Sequence, residues 1–303
     1  MTADAQTYVL RATRPRTPRQ RLGTALWFVA VLLISLTTVF PLVWTIVTSL
    51  KPEGEILTSS LRIWPDAPTL ENYVRAWTTV PFGRYFFNST FLAVAGVVLN
   101  IFFGSLAGYA FARLRFRGKR VLFGALLSSL MIPGIVTMVP TFLVLRRFPF
   151  AGGNDLFGDG GTGFINSYWA VILPGAAGAF AVFFMRQFFA SMPEELAEAA
   201  RIDGASEFRI FAQIYMPLAS AGAAVLGILT FQAGWNSFMW PLIVLSDRSM
   251  LTVQVGLAAF KSEHTTDYGP LMAGTVIVSL PVLLIFVLAQ RYIIEGVAHI
   301  GSK

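Results

Sequence analysis

The chain has 303 residues, of which 55% are hydrophobic and only 13% charged, with a mean hydropathy of +0.65. A soluble globular chain is about one quarter charged, so this composition excludes a disordered protein and a nucleic-acid binder and disfavours a soluble enzyme. The formal charge is +7, there is no Cys, and the two histidines, His264 and His299, stand alone; disulfides, thiolate chemistry, Cys-metal sites and a His-rich metal site are therefore excluded.

Residues 1–21 form a basic tail carrying Arg11, Arg14, Arg16, Arg19 and Arg21 with Pro15 and Pro18. Six stretches without formal charge follow: 22–50, 85–112, 121–145, 160–185, 210–246 and 268–290. A spanning helix needs about 20 mostly apolar residues, so each stretch is expected to hold one transmembrane helix, and the fold class is all-α integral membrane. The first run ends in TSLKPEGE, not at a small-residue cleavage site, so it reads as a retained helix and not a signal peptide. The fifth run exceeds one span, and Pro217 is the expected start of its membrane helix, where a missing donor costs little.

Orientation follows from the basic residues. With an even number of spans, the side holding both tails has 15 Lys or Arg against 8 on the other. The positive-inside rule assigns that side to the cytoplasm. Arg113, Arg115, Arg117, Lys119 and Arg120, after the second run, add most weight, while Arg146 and Arg147 go against the assignment. Of the loops on the other side, 51–84 is proline-rich and reads as short helices and turns. The glycine-rich 148–164 lacks the spacing and final Glu of a calcium loop and reads as a turn.

Within the spans, Gly104 and Gly108 fit GxxxG and are expected to let helices of the same chain approach closely. Pro133, Pro140, Pro174 and Pro281 can kink their helices. Near the far end of the fifth run lie Trp235, Asn236, Trp240 and Pro241. The tryptophans fit an aromatic belt or a stacking surface for a sugar. Asn236 and Asn88, which need hydrogen-bond partners if buried, are candidates for the translocation pathway together with Trp235, or for helix packing. No run contains a carboxylate or His, so a membrane enzyme has no acid–base residues there.

The segment MPEELAEAARIDGASEFRIFAQIYMPL, within loop 190–217 and the residue after it, carries the most information. Pro193 and Glu194 open a helix, with Glu195, Glu198 and Arg201 as a charged stripe and Leu196, Ala199, Ala200 and Ile202 as its apolar companion. Gly204 breaks that helix and Ser206 caps a second. The excess of acid over base excludes DNA binding by this helix–turn–helix and suits docking to a basic partner.

Glu198, Ala199 and Ala200, then Asp203, Gly204 and Ala205, then Phe211, Ile214 and Pro217 resemble the EAA signature of ABC importer permeases. The likeness extends over 22–303, to the MalG-like carbohydrate branch, through Phe87–Asn88–Ser89, Tyr109–Ala110–Phe111–Ala112–Arg113, Trp235–Asn236, Trp240–Pro241–Leu242, Gln254–Val255–Gly256–Leu257 and Gln290–Arg291–Tyr292. The resemblance implies a six-helix permease domain in a bacterial inner membrane, with both termini cytoplasmic. It implies no catalysis and no cofactor bound by this chain. Two separate ATPase subunits would use ATP and magnesium, a second homologous permease subunit would complete the pathway, and an extracytoplasmic binding protein would deliver a saccharide or related solute. Glu198 would contact the ATPase and Gly204 would turn the loop between its two helices. Many relatives have a further proline where this chain has Leu218, Ala219, Ser220 and Ala221. The alternative reading is a membrane receptor or scaffold that docks a cytoplasmic partner without moving solute.

Overall fold

A computed structural model describes residues 18–57, 62–261 and 266–300, with side chains described between 22 and 290. Residues 1–17 of the basic tail, His264 and the side chains of Arg291 and His299 lie outside that description. The described chain is all α-helical apart from one isolated bridge, between Lys261 and Thr266.

Three helices are long and apolar enough to cross a membrane unbroken: α1 (Pro18–Ser49), α4 (Phe82–Arg113) and α15 (Tyr268–Ile300, apolar over Tyr268–Gln290). Between α1 and α4 lie two short helices, α2 (Glu53–Ile56) and α3 (Glu71–Thr79), as the proline spacing predicts. The other three apolar runs are bent pairs and not the single helices expected. The third run splits into α5 (Lys119–Ser129) and α6 (Gly134–Arg146), turned by 106°. Pro133 sits at that corner, where it has extended ψ and opens α6. The fourth divides into α7 (Tyr168–Ile172) and α8 (Ala179–Ser191), with Pro174 in a 3-10 turn between them and a bend of 40°. The fifth bends by 76° between α11 (Met216–Leu218) and α12 (Ser220–Trp235). Pro217 lies in the first turn of α11, and the longer limb of that run, α12, starts after the corner, at Ser220. Pro140 and Pro281 lie inside helices that continue through them.

The α4 helix is the central column. Its 32 residues reach about 48 Å at 1.5 Å per residue, longer than the ~30 Å hydrocarbon layer. Gly104 and Gly108 face α8 so closely that a Cβ on Gly104 would stand 2.8 Å from the Cβ of Ala181. One on Gly108 would stand 2.8 Å from the Cβ of Met185 and 2.9 Å from the backbone nitrogen of Arg186. Lipid tails are as apolar as the helices, so contact area from this approach replaces the hydrophobic drive available in water. The GxxxG face thus packs within the chain, as expected.

Two apolar clusters flank α4. One, near its C-terminal end, joins Tyr109, Met185, Phe189, Ile210, Phe211, Tyr215 and Leu226. The other, near its N-terminal end, joins Phe82, Tyr85, Trp235, Val253 and Val278. By contrast α1 packs along α15 and leaves nearly all of its apolar length uncovered.

Gly108→Val should overpack the α4–α8 contact and cost about 1–3 kcal/mol, read as a lower thermal midpoint of the detergent-solubilised protein. Gly96→Ala is the control, since nothing lies within 4 Å of its new methyl. Equal midpoints for Gly108→Val and the parent would refute the close approach.

Candidate functional site

The 190–217 loop folds as the predicted pair of helices, and its chemistry explains its residue types. The first helix, α9 (Glu195–Ile202), has Glu195 and Glu198 in its first turn, where carboxylates oppose the positive end of the helix dipole. Its end is a Schellman turn. The Ala205 amide donates to the Ala200 carbonyl at 2.9 Å and the Gly204 amide to the Arg201 carbonyl at 3.0 Å. Gly204 has φ +80°, and a Cβ added to it would meet no atom within 4 Å; the left-handed backbone, and not space, requires glycine there. The small side chains of Ala200 and Ala205 sit at the two ends of the wider bond of this turn. The Ala199 carbonyl accepts from the Asp203 amide at 3.1 Å.

Ser206 then caps α10 (Glu207–Ile210), accepting from the Arg209 amide. A π-helical turn, Phe211–Tyr215, leads into α11 and the 76° corner. Phe211 is buried against Tyr109 and Phe189. Ile214 packs on the same cluster, and Pro217 is exposed beside the corner.

Five residues outside the signature fasten this loop. Glu207 accepts from the Arg201 Nε at 2.8 Å and from the Tyr109 hydroxyl at 2.9 Å, joining α9, α10 and α4. The Arg201 guanidinium holds the Glu207 carboxyl below its ordinary range, burial opposes that, and the Tyr109 bond reinforces it. Arg113 donates to the carbonyls of Phe189 and Met192, and its guanidinium lies 5.0 Å from the Tyr215 ring centre. The Tyr215 hydroxyl in turn donates to the Pro193 carbonyl at 3.2 Å. The sequence signal for this base was a Tyr and an Arg four residues apart at the end of an apolar run, which places them on one helix face.

The apolar companion face of α9 is largely exposed. The buried residue of α9 is Ala197, while Leu196 and Ala199 are exposed, as is Ile202 at 87%. With Phe208, 67% exposed, and the exposed Glu198, they form an open surface of mixed apolar and acidic character.

The pathway candidates separate. Asn88 is fully buried near the N-terminal end of α4. Its Nδ2 donates to the carbonyls of Ser249 and Leu251 at 2.8 and 2.9 Å, and its Oδ1 accepts from the Tyr168 hydroxyl at 2.7 Å. It ties together α4, α7 and the segment before α14 (Val253–Ala258, which follows α13, Met239–Val244). Trp235 is 1% exposed, donates to the Val278 carbonyl at 3.0 Å and stacks on Phe231. Trp240 donates to the Ala170 carbonyl. Each indole nitrogen is used inside the fold. Asn236 alone of the three is exposed, its Oδ1 3.3 Å from the Gln254 Nε2. No group of three or more His, Cys, Asp or Glu is placed to hold a metal among the described residues.

Long apolar helices around one glycine-faced column, broken at three corners and carrying one structured polar loop, define an all-α, multi-pass membrane permease. The chain belongs to the family of binding-protein-dependent transport system inner membrane components, whose model matches residues 100–299. It is 35% identical over 273 residues to the arabinooligosaccharides transport system permease protein AraQ of Halalkalibacterium halodurans, covering 89% of this chain and 93% of that one. It is 34% identical over 271 residues to the diacetylchitobiose uptake system permease protein NgcG of Streptomyces coelicolor, covering 89% and 85%. A chain in the crystal structure of a bacterial ABC transporter involved in the import of the acidic polysaccharide alginate shares the fold, with TM-score 0.80 and 22% identity over 92% of this chain and 99% of that one. The protein is thus an ABC-importer permease subunit of a bacterial inner membrane.

Glu207→Gln keeps the shape of the side chain and removes its charge. A charge-assisted bond is worth about 1.5–3 kcal/mol, reduced here by partial exposure, so amides of α9 and α10 should exchange hydrogen about three- to tenfold faster at neutral pH. Because the native carboxyl is held low, its contribution is present above the unfolded carboxylate range and is lost as pH falls through the lowered value. The parent should therefore lose protection in acid, and Glu207→Gln should not. Unchanged exchange at neutral pH would show that this bond does not hold the loop.

Proposed function

We propose that this chain couples ATP-driven motion to translocation of a saccharide or related small polar solute, through the 190–217 loop. The observation that carries the reading is the open acidic and apolar face of α9 and α10 on a base pinned to α4 and α8. The loop is stiff where it meets the membrane helices and uncovered where a partner would dock. Glu198 supplies a carboxylate for a charge-assisted bond to a basic group, and Leu196, Ile202 and Phe208 supply apolar contact. Ala199, Ala200, Asp203, Gly204 and Ala205 shape the turn, and Phe211, Ile214 and Pro217 carry it into the corner.

The partners in this reading are two ATPase subunits, which use ATP and magnesium, a second homologous permease subunit, and an extracytoplasmic binding protein. The loop lies on the cytoplasmic side, as do both tails, in line with 15 basic residues there against 8 opposite. Two relatives are named for oligosaccharide uptake. The apolar runs contain no Lys or Arg to neutralise a phosphate, which suits a neutral solute.

Glu198→Lys reverses the docking charge, and Gly204→Asp adds charge and forces a side chain into a left-handed backbone at about 1–2 kcal/mol. Both variants should insert normally, and the purified complex should retain less ATPase or hydrolyse ATP with weaker stimulation by substrate. Wild-type ATPase retention and wild-type vesicle uptake in both would overturn the coupling role.

Asn236, exposed beside Gln254, is the pathway residue of this reading, whereas Asn88 and Trp235 shape the wall from within. Asn236→Ala should lower uptake at unchanged complex levels. Asn88→Ala orphans the half-buried Tyr168 hydroxyl and the carbonyls of Ser249 and Leu251, at about 1–3 kcal/mol for an unsatisfied group, and should reduce the amount of assembled complex. Equal uptake by Asn236→Ala at matched complex levels would remove it from the pathway.

A further inference from the structure

The turn between α4 and α5 encloses an open depression of about 490 Å³ lined by Leu114, Arg115, Phe116, Lys119, Arg120 and Val121. Its charge is of one sign. The sequence holds no Asp or Glu from residue 72 to residue 154. The described ion pairs engage Arg62, Arg75 and Arg201, and none of the cations of this turn. Arg186 of α8 adds a further positive charge, with its guanidinium 4.2 Å from the ring centre of Phe123 in α5.

The frame of the depression is stiff. The Lys119 ammonium donates to the carbonyls of Leu114 at 2.9 Å and Ala112 at 3.4 Å, so two of its three protons close the turn onto the end of α4. Gly118, at φ +80°, starts α5 without any side-chain cap, leaving the first amides of that helix free of a side-chain acceptor. Arg115 and Arg120 are exposed on the rim. The wall next to them is apolar and continues along α5, where Val121 is 76% and Leu122 55% exposed.

A purely solvated basic loop would explain the arginines and not the apolar wall that joins them. A ligand with an anionic head and a hydrocarbon tail fits both. We propose that this depression binds an anionic phospholipid. The phosphodiester lies between Arg115, Arg120 and the remaining Lys119 proton, with an acyl chain along Val121 and Leu122. The site needs only that this end of α4 lie at a membrane surface, so it does not rest on the coupling loop or on the solute. Each basic residue near an anionic lipid surface contributes about fivefold to binding, which is ~1 kcal/mol.

The test uses the full-length chain in its purified complex, with native mass spectrometry counting retained dioleoylphosphatidylglycerol against dioleoylphosphatidylcholine. The wild type should retain the phosphatidylglycerol preferentially. Arg115→Gln with Arg120→Gln should weaken that retention about 25-fold, from two charges at about fivefold each. Lys119 is left intact because it closes the turn. Arg115→Lys with Arg120→Lys keeps the charge and should keep most of the binding, and Arg146→Gln with Arg147→Gln, at the end of α6, should leave it unchanged. Equal retention of the two lipids by the wild type would overturn the proposal. So would equal losses in the Gln and Lys pairs, which would mean a structural defect. Displacement of the lipid by 50 mM inorganic phosphate (about the concentration of a common buffer) would mark a free-anion site instead, and loss of ATPase with lipid retention unchanged would mark a protein contact.

Discussion

The close approach of α4 to α8 at Gly104 and Gly108 is the constraint on which the remaining structure depends. It fixes the depth and rotation of α4, and with them the places of Asn88 near one end and of Tyr109 and Arg113 near the other. Asn88 can gather Tyr168, Ser249 and Leu251 only at that rotation. Tyr109 can meet Glu207, and Arg113 the carbonyls of Phe189 and Met192, only if α8 is held at the same distance. A membrane helix has little hydrophobic reason to prefer one neighbour over lipid, so shape and a few directed bonds must do the sorting. One helix here carries both.

Polar side chains divide by what surrounds them. Several near the column are satisfied by protein: both sides of the Asn88 amide, the Trp235 indole and the Tyr109 hydroxyl are all engaged. Others are open on the face of α9 and α10, at Asn236 beside Gln254, and on the basic turn before α5. Burial in an apolar surrounding is costly for an unmet donor or acceptor, and openness is what a group needs in order to meet something outside the chain. On that ground Asn88 is engaged in packing within the described fold, one of the two places its residue type allowed.

The apolar runs, the class of fold and the two-helix loop were legible in the sequence, because each rests on local signals: run length, Gly204 at a helix end, Ser206 before the next helix. The corners were only half legible. Pro133 and Pro174 mark two of them, yet Pro140 and Pro281, equally visible, leave their helices continuous. A proline removes one donor wherever it stands, and the surrounding packing decides whether the helix turns. The roles of Glu207 and Trp235 were not legible. Glu207 reaches 98 residues back to Tyr109 and Trp235 reaches 43 forward to Val278, and no local pattern reports contacts of that range. That Ala197 is the buried residue of α9 was not legible for a related reason: the cluster beneath it draws on α4, α8, α10, the π-turn and α12.

The corner at Ala219 has a mechanical consequence. Two limbs set at 76° act as a crank. A push along the axis of α10 and α11 has only a small component along α12 and becomes a torque about the corner. The π-turn just before it spaces the backbone bonds five residues apart in place of four, which makes the input arm wider and softer than the output arm. Ala219 is fully buried, so the pivot sits inside the packed cluster with little room for a larger side chain. Within the coupling proposed above, a displacement of the polar loop would reach α12 as a rotation about Ala219 and not as a shift along its axis.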